Sequence, residues 1–139
     1  MNKLYITTLP ESYMDYENVC VPQAYTLSKI DSASCEEIIA RDIIDTIPYN
    51  DVIPTILIFL SKVHRKGKIT LGGRDLDAIF KAYKNQLLEV KDVNSLIFGS
   101  DRLSISSVVD IINILESNGF KILNKKRDNY FWSITAERQ

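Results

Sequence analysis

Four consecutive residues, Glu37-Ile38-Ile39-Ala40, constrain the fold of this chain more than any other segment. The run is short and apolar, without the alternation of a strand that keeps one wet face, and it reads as a strand buried on both sides. Strands of that kind belong to parallel sheets, whose neighbours are joined by helical crossovers lying over the faces. Two further β-rich runs precede it. Residues 3–8 are stopped by Leu9-Pro10, and Asn18-Val19-Cys20-Val21 is stopped by Pro22.

Beyond the buried strand the apolar period lengthens to that of a helix. Asn50 is positioned to cap a helix from Asp51 to about His64, with Ile53, Ile56, Leu57, Leu60 and Val63 as its apolar stripe. Pro54 lies near enough to the start to be accommodated. Lys66-Gly67 predicts the stop, and Lys68-Ile69-Thr70-Leu71 the next strand. Asp75 is a cap for a helix carrying Leu76, Ile79, Phe80, Tyr83 and Leu87 on one face. A last helix begins at Ser104 or Ser106 and turns Val108, Ile111, Ile112 and Leu115 inward. It ends at Asn118-Gly119, where glycine takes the left-handed conformation without steric cost. Residues 120–125 and 130–135 flank Arg127-Asp128-Asn129 as an antiparallel hairpin. The pattern predicts one α/β domain over residues 1–139, its sheet mostly parallel with an antiparallel edge. The expected core is Ile6, Val19, Ile38, Ile39, Ile56, Leu57, Leu60, Ile69, Leu71, Ile79, Ile112, Leu115, Ile122 and Ile134.

Composition narrows the chemistry. Two cysteines, Cys20 and Cys35, and one histidine, His64, are too few for a closed zinc site, and no metal is expected. A reducing, cytoplasmic compartment is the default for such cysteine usage. Cys35 lies in Cys35-Glu36-Glu37, whose acids raise a thiol pKa, and neither cysteine has a neighbouring histidine; both read as inert. His64, beside Arg65 and Lys66, reads as a helix-terminus residue rather than a base. Gly72-Gly73-Arg74-Asp75 lacks the spacing of a triphosphate-binding loop. The apolar run 52–60 is broken by Pro54 and falls short of the ~20 residues of a membrane span. Residues 1–5 lack the apolar run of a signal peptide.

The formal charge of −1 gives no support to a nucleic-acid surface, but it hides a split. Residues 1–62 hold four Lys/Arg against nine Asp/Glu, and residues 63–139 hold thirteen against nine. Glu11, Asp15, Glu17, Glu36 and Glu37 on one side and Lys121, Lys125, Lys126 and Arg127 on the other make self-association or a protein partner an expectation. Tyr13, Tyr16 and Tyr130 are candidates for the apolar centre of such an interface. The basic residues beside Tyr130-Phe131-Trp132 read as protection of an edge strand, with the aromatics facing the core.

The order of these segments resembles a specific family. Glu36-Glu37-Ile38-Ile39-Ala40-Arg41-Asp42-Ile43-Ile44-Asp45-Thr46-Ile47-Pro48 is similar to the fourth-strand region, "D-E-I-x-A-x-H-V-L-E-H-I-P", of small class I methyltransferases that use S-adenosylmethionine. Residues 62–71 resemble their "R-V-L-K-P-G-G-K-L-x-I" turn and fifth strand. Gly72-Gly73-Arg74-Asp75-Leu76 resembles a "G-G-x-D-L" that follows it, and Leu115 with Asn118-Gly119-Phe120 a "L-x-x-x-G-F" junction. The resemblance implies a reduced Rossmann-like sheet with its ligand pocket at the strands' carboxyl ends. There the chain departs from the family. Thr7, Thr8 and Leu9 stand where a glycine turn is expected, Cys20 where an acid accepts the ribose hydroxyls, and Asp42, Asp45 and Thr46 where the family has "H-x-x-E-H". The resemblance therefore implies a vestigial pocket at Thr7, Thr8, Leu9, Cys20, Arg41 and Asp42, with no catalytic residue and no bound cofactor.

Two functions follow from it. One is a non-catalytic binding or structural module in a larger assembly, for which a viral particle is one setting. The other is an active S-adenosylmethionine-dependent methyltransferase on an unknown acceptor, since methyl transfer relies mainly on proximity and alignment. Asp42 and Asp45 either line an acceptor pocket or, the favoured reading, form a solvated helix start.

Overall fold

The structure is a computed structural model that describes residues 2–7, 15–20, 27, 30–99 and 102–139. Thr8, Leu9 and Tyr13 lie outside the described residues, as do the side chains of Val19 and Cys20. Among the described residues six strands form one sheet: β1 (Asn2–Thr7), β2 (Glu17–Cys20), β3 (Cys35–Ala40), β4 (Val63–Arg74), β5 (Phe120–Asp128) and β6 (Phe131–Arg138). Their spatial order is β2-β1-β3-β4-β6-β5. The first four run parallel, and β6 runs antiparallel to both its neighbours. This is the predicted mostly parallel α/β sheet with an antiparallel C-terminal hairpin. Chain order reverses at β1, which has β2 on one side and β3 on the other, so the crevice between the carboxyl ends of β1 and β3 is the topological switch point.

Burial on both faces, inferred for the third strand, holds: Ile38, Ile39 and Ala40 are at most 4% exposed. Leu4 and Ile6 of β1, Ile69 and Leu71 of β4, and Trp132 and Ile134 of β6 join them in the core. Gly119 closes the last helix at φ +80°, the left-handed value anticipated for it. Strand β5 is one edge of the sheet, and Lys121, Lys125 and Lys126 stand exposed along it, as edge protection requires.

The α-helices among the described residues are α1 (Tyr49–Lys62), α2 (Leu76–Lys84), α3 (Val90–Phe98) and α4 (Val108–Ser117). Helix α1 departs from expectation at its start, along its face and at its end. It starts at Tyr49 with Pro48 at the cap position, so Asn50 lies in its first turn and caps nothing. Pro54 then falls in the second turn, where it removes the N–H that would have met the Asn50 carbonyl. The buried face is Val52, Thr55, Ile56, Phe59 and Leu60, leaving Ile53 50% and Leu57 41% exposed, so Leu57 is not a core residue.

The helix also stops two residues early. His64 belongs to β4 and not to a helix terminus. Strand β4 pairs Val63 with Cys35 and next Lys68 with Glu37, so residues 64–67 form a bulge where a stop was expected. On α2 only Ile79 and Ala82 are buried, Phe80 and Tyr83 face outward, and Leu87 lies exposed beyond the helix end. Ile112 and Ile122 pack against the core only partly buried.

Candidate functional site at the carboxyl edge

Strand register determines what meets at the switch point. Thr7 pairs with Cys20, so β1 and β2 end at one level. Tyr5 pairs with Ile39, which carries the register of Thr7 on to Arg41 just beyond β3. Backbone pairing thus brings Thr7, Cys20 and Arg41-Asp42 to one carboxyl edge. The Thr7 side chain is 5% exposed, while Arg41 and Asp42 project into solvent.

One level further along the sheet, the loop after β3 folds back over β4. Ile44–Thr46 form a 3-10 turn between β3 and α1. Asp45 within it is fully buried, which corrects its reading as a solvated helix start; Asp42 is exposed, in the bend that precedes the turn. The turn is clamped from both sides. Asp45 Oδ2 accepts the Arg74 backbone N–H at 2.7 Å, and the Asp45 carbonyl accepts the N–H groups of Leu103 and Ser104 at 2.8 and 3.1 Å. Two glycines make the approach possible. A Cβ on Gly72 would stand 2.6 Å from the Arg41 carbonyl oxygen, and one on Gly73 would stand 2.8 Å from Asp45 Oδ1 and 3.2 Å from Trp132 Nε1.

The same edge gathers polar atoms that find no partner. The side-chain atoms buried without a hydrogen bond among the described residues are Asp45 Oδ1, Arg74 Nε, Arg102 Nε, Ser106 Oγ and Trp132 Nε1. All belong to the loop after β3, the end of β4, the start of β6 or the segment leading into α4. Desolvation pushes the Asp45 carboxyl above the ordinary aspartate value, against the Arg74 N–H and the nearby Arg102 charge, which pull it down. Arg74 stacks its guanidinium 4.0 Å from the Phe131 ring centroid, and its pKa is lowered first by burial and then by Arg102.

Two clefts of about 330 Å³ open nearby. The first lies between the N-terminal ends of α1, α2 and α4, lined among others by Tyr49, Asn50, Ile53, Ser106, Asp110 and Ile111. The second lies beside Asp75, whose carboxylate caps α2 through the Ala78 N–H at 3.2 Å and takes two 2.7 Å hydrogen bonds from Arg127. Arg127 therefore anchors the hairpin to the end of β4, a role beyond edge protection. That pairing holds the Asp75 carboxyl below the ordinary aspartate value and the Arg127 guanidinium above its own.

Elsewhere the readings of single residues divide. Burial raises the Cys35 thiol pKa, in keeping with an inert thiol. Tyr16 is half-buried and hydrogen-bonds Glu37, and Tyr130 is half-buried, so neither is a freely exposed aromatic. Among the described residues no group of three or more His, Cys, Asp or Glu is placed to hold a metal ion, and no helix is long and apolar enough to cross a membrane. The cluster of Asp45, Arg74, Arg102 and Trp132 was not legible as a site in the sequence; the paired glycines ahead of Arg74 were its only signal.

With this geometry the fold is that of the class I, S-adenosylmethionine-dependent methyltransferases. No protein-family profile matches the chain, and no curated protein does. Solved structures do. One is an S-adenosylmethionine-dependent methyltransferase from Thermotoga maritima, described as a possible histamine N-methyltransferase, with TM-score 0.64 and 10% identity over 99% of this chain and 82% of that one. A second, from Archaeoglobus fulgidus, has TM-score 0.62 and 10% identity over 97% of this chain and 75% of that one. A third is the magnesium protoporphyrin IX methyltransferase of Synechocystis PCC 6803 with bound S-adenosylhomocysteine, TM-score 0.59 and 18% identity over 90% of this chain. This chain spans 52% of the Synechocystis enzyme's length. At such identities the likeness is one of fold.

Proposed function

We propose that this chain is a methyltransferase-like domain that transfers no methyl group and serves as a binding or structural module within a larger assembly. The observation that carries the reading is the register at the switch point. Thr7 and Cys20 end their strands side by side, at the level where a methyltransferase needs a glycine turn and a ribose-binding acid. A glycine leaves room for adenosine to approach the backbone, whereas Thr7 brings a side chain to the edge, and a thiol is a poor acceptor for ribose hydroxyls. These residues do not fit S-adenosylmethionine in the manner of the family.

A second reading, an active methyltransferase on an unknown acceptor, draws support from the cleft between α1, α2 and α4. It opens at the carboxyl side of the sheet, where α/β folds bind ligands. Calorimetric titration with S-adenosylmethionine separates the two. The module reading expects no saturable heat at millimolar ligand, and micromolar binding would replace it with the enzyme reading.

A further inference from the structure

Two guanidinium groups and one carboxylate share the layer above the carboxyl ends of β3 and β4. Arg102, whose side chain is 10% exposed, reaches Asp45 Oδ2 only at 3.5 Å, and its Nε is buried with no partner. Arg74 is half-buried, its guanidinium forms no hydrogen bond or ion pair among the described residues, and it stacks on the Phe131 ring. Asp45 spends Oδ2 on the Arg74 backbone as well as on Arg102, so it compensates neither cation fully. Asp42 also acts on Arg74, but it is exposed, and solvent screens it. A buried positive charge in excess of its partners is costly unless an anion completes it.

We propose that Arg74 and Arg102 form a binding site for an oxyanion, the phosphate or carboxylate group of a small molecule, at the carboxyl edge of β3 and β4. The planar guanidinium suits such groups because its N–H donors match paired oxygens, and the two unpartnered Nε–H groups are donors of this kind. Stacking on Phe131 holds the Arg74 guanidinium and the contact with Asp45 holds that of Arg102 before a ligand arrives, which lowers the ordering cost of binding. The site lies on the β4 side of the switch point and draws on neither Thr7 nor Cys20.

Calorimetry with inorganic phosphate and with succinate, in zwitterionic buffer at matched ionic strength, tests the proposal. One equivalent of at least one anion should bind saturably, and Arg74→Gln and Arg102→Gln should each weaken it by about tenfold or more. Lys126→Gln, on the exposed edge strand, should leave it unchanged. Binding of phosphate alone assigns a phosphoryl ligand, and binding of succinate alone a carboxylate. A variant-free readout guards against misfolding of the glutamine variants: the Nε–H resonances of two arginines in the wild-type protein should shift along with the calorimetric saturation. No saturable binding of either anion up to about 20 mM, or full binding by both glutamine variants, overturns the proposal.

Discussion

Removing Arg127 should loosen the C-terminal hairpin from the end of β4 and do so in a pH-dependent way. Arg127 donates to both oxygens of Asp75 at 2.7 Å, and the Asp75 side chain is only 2% exposed. Hydrogen bonds to a charged partner are worth about 1.5–3 kcal/mol each in buried settings. Here the Arg127 side chain is 38% exposed and its contact with exposed Asp77 is longer, at 3.3 Å, so solvent takes back part of that. Arg127→Gln should therefore cost roughly 2 kcal/mol at pH 7, about 6 °C in Tm for a chain of this size.

The sign with pH follows from the direction of the shift. Arg127 holds the Asp75 carboxyl below its ordinary value of 3.8, so the stabilisation is complete above that value and is lost as pH falls through the lower folded-state one. Urea unfolding of wild type, Arg127→Gln, Asp75→Asn and the double variant gives the coupling energy, about 1–2 kcal/mol at pH 7, and it should shrink toward zero in strong acid. A cost below about 0.5 kcal/mol, or one that does not change with pH, would refute the reasoning.

Three other outcomes follow from the geometry. Phe59→Ala should cost about 3–5 kcal/mol in urea unfolding while Leu57→Ala costs less than about 1, because α1 buries Phe59 completely and leaves Leu57 41% exposed; equal costs would mean the helix face is misassigned. Gly72→Ala should cost more than roughly 2 kcal/mol, since its Cβ would meet the Arg41 carbonyl at 2.6 Å and neither backbone can move freely; a neutral substitution in thermal unfolding would remove the proposed closure of the loop over β4. Burial raises the Asp45 carboxyl above 3.8, so the native state retains a proton that the unfolded chain has released, and wild-type stability relative to Asp45→Asn should fall as pH rises from that value through the raised one; a flat difference in unfolding across the range contradicts it.

Local periodicity made legible what depends on neighbours in sequence. The doubly buried third strand, the Asp75 cap, the Gly119 terminus and the edge hairpin all follow from residues within one or two turns of each other. What failed depended on distant packing. The stripe on α1 was rotated because Phe59 and Val52 compete with Leu57 and Ile53 for the same period, and only contact with the sheet decides between them. Lys66-Gly67 has the composition of a stop, yet the chain pairs on both sides of it and turns it into a bulge. Helix α3 buries no residue, so it carries no inward stripe; Asp92, which accepts the Glu89 N–H at 2.9 Å, was its only local mark. Asp45 looked like a surface acid because the groups it meets, at Arg74 and at residues 102–104, lie far along the chain. The switch-point edge was traceable through the family resemblance, whereas the Arg74–Arg102 pair was not, since it forms only when the segment before α4 crosses β4.

Under the proposed reading the sheet keeps the methyltransferase arrangement while its switch-point edge does not take the cofactor. The most direct test of that reading is a titration of the isotopically labelled chain with S-adenosylhomocysteine, following backbone amide resonances residue by residue. The account predicts that Thr7, Cys20, Arg41 and Asp42 keep their positions up to millimolar ligand. Saturable shifts concentrated on those four residues would contradict it and make the chain a cofactor-binding methyltransferase domain.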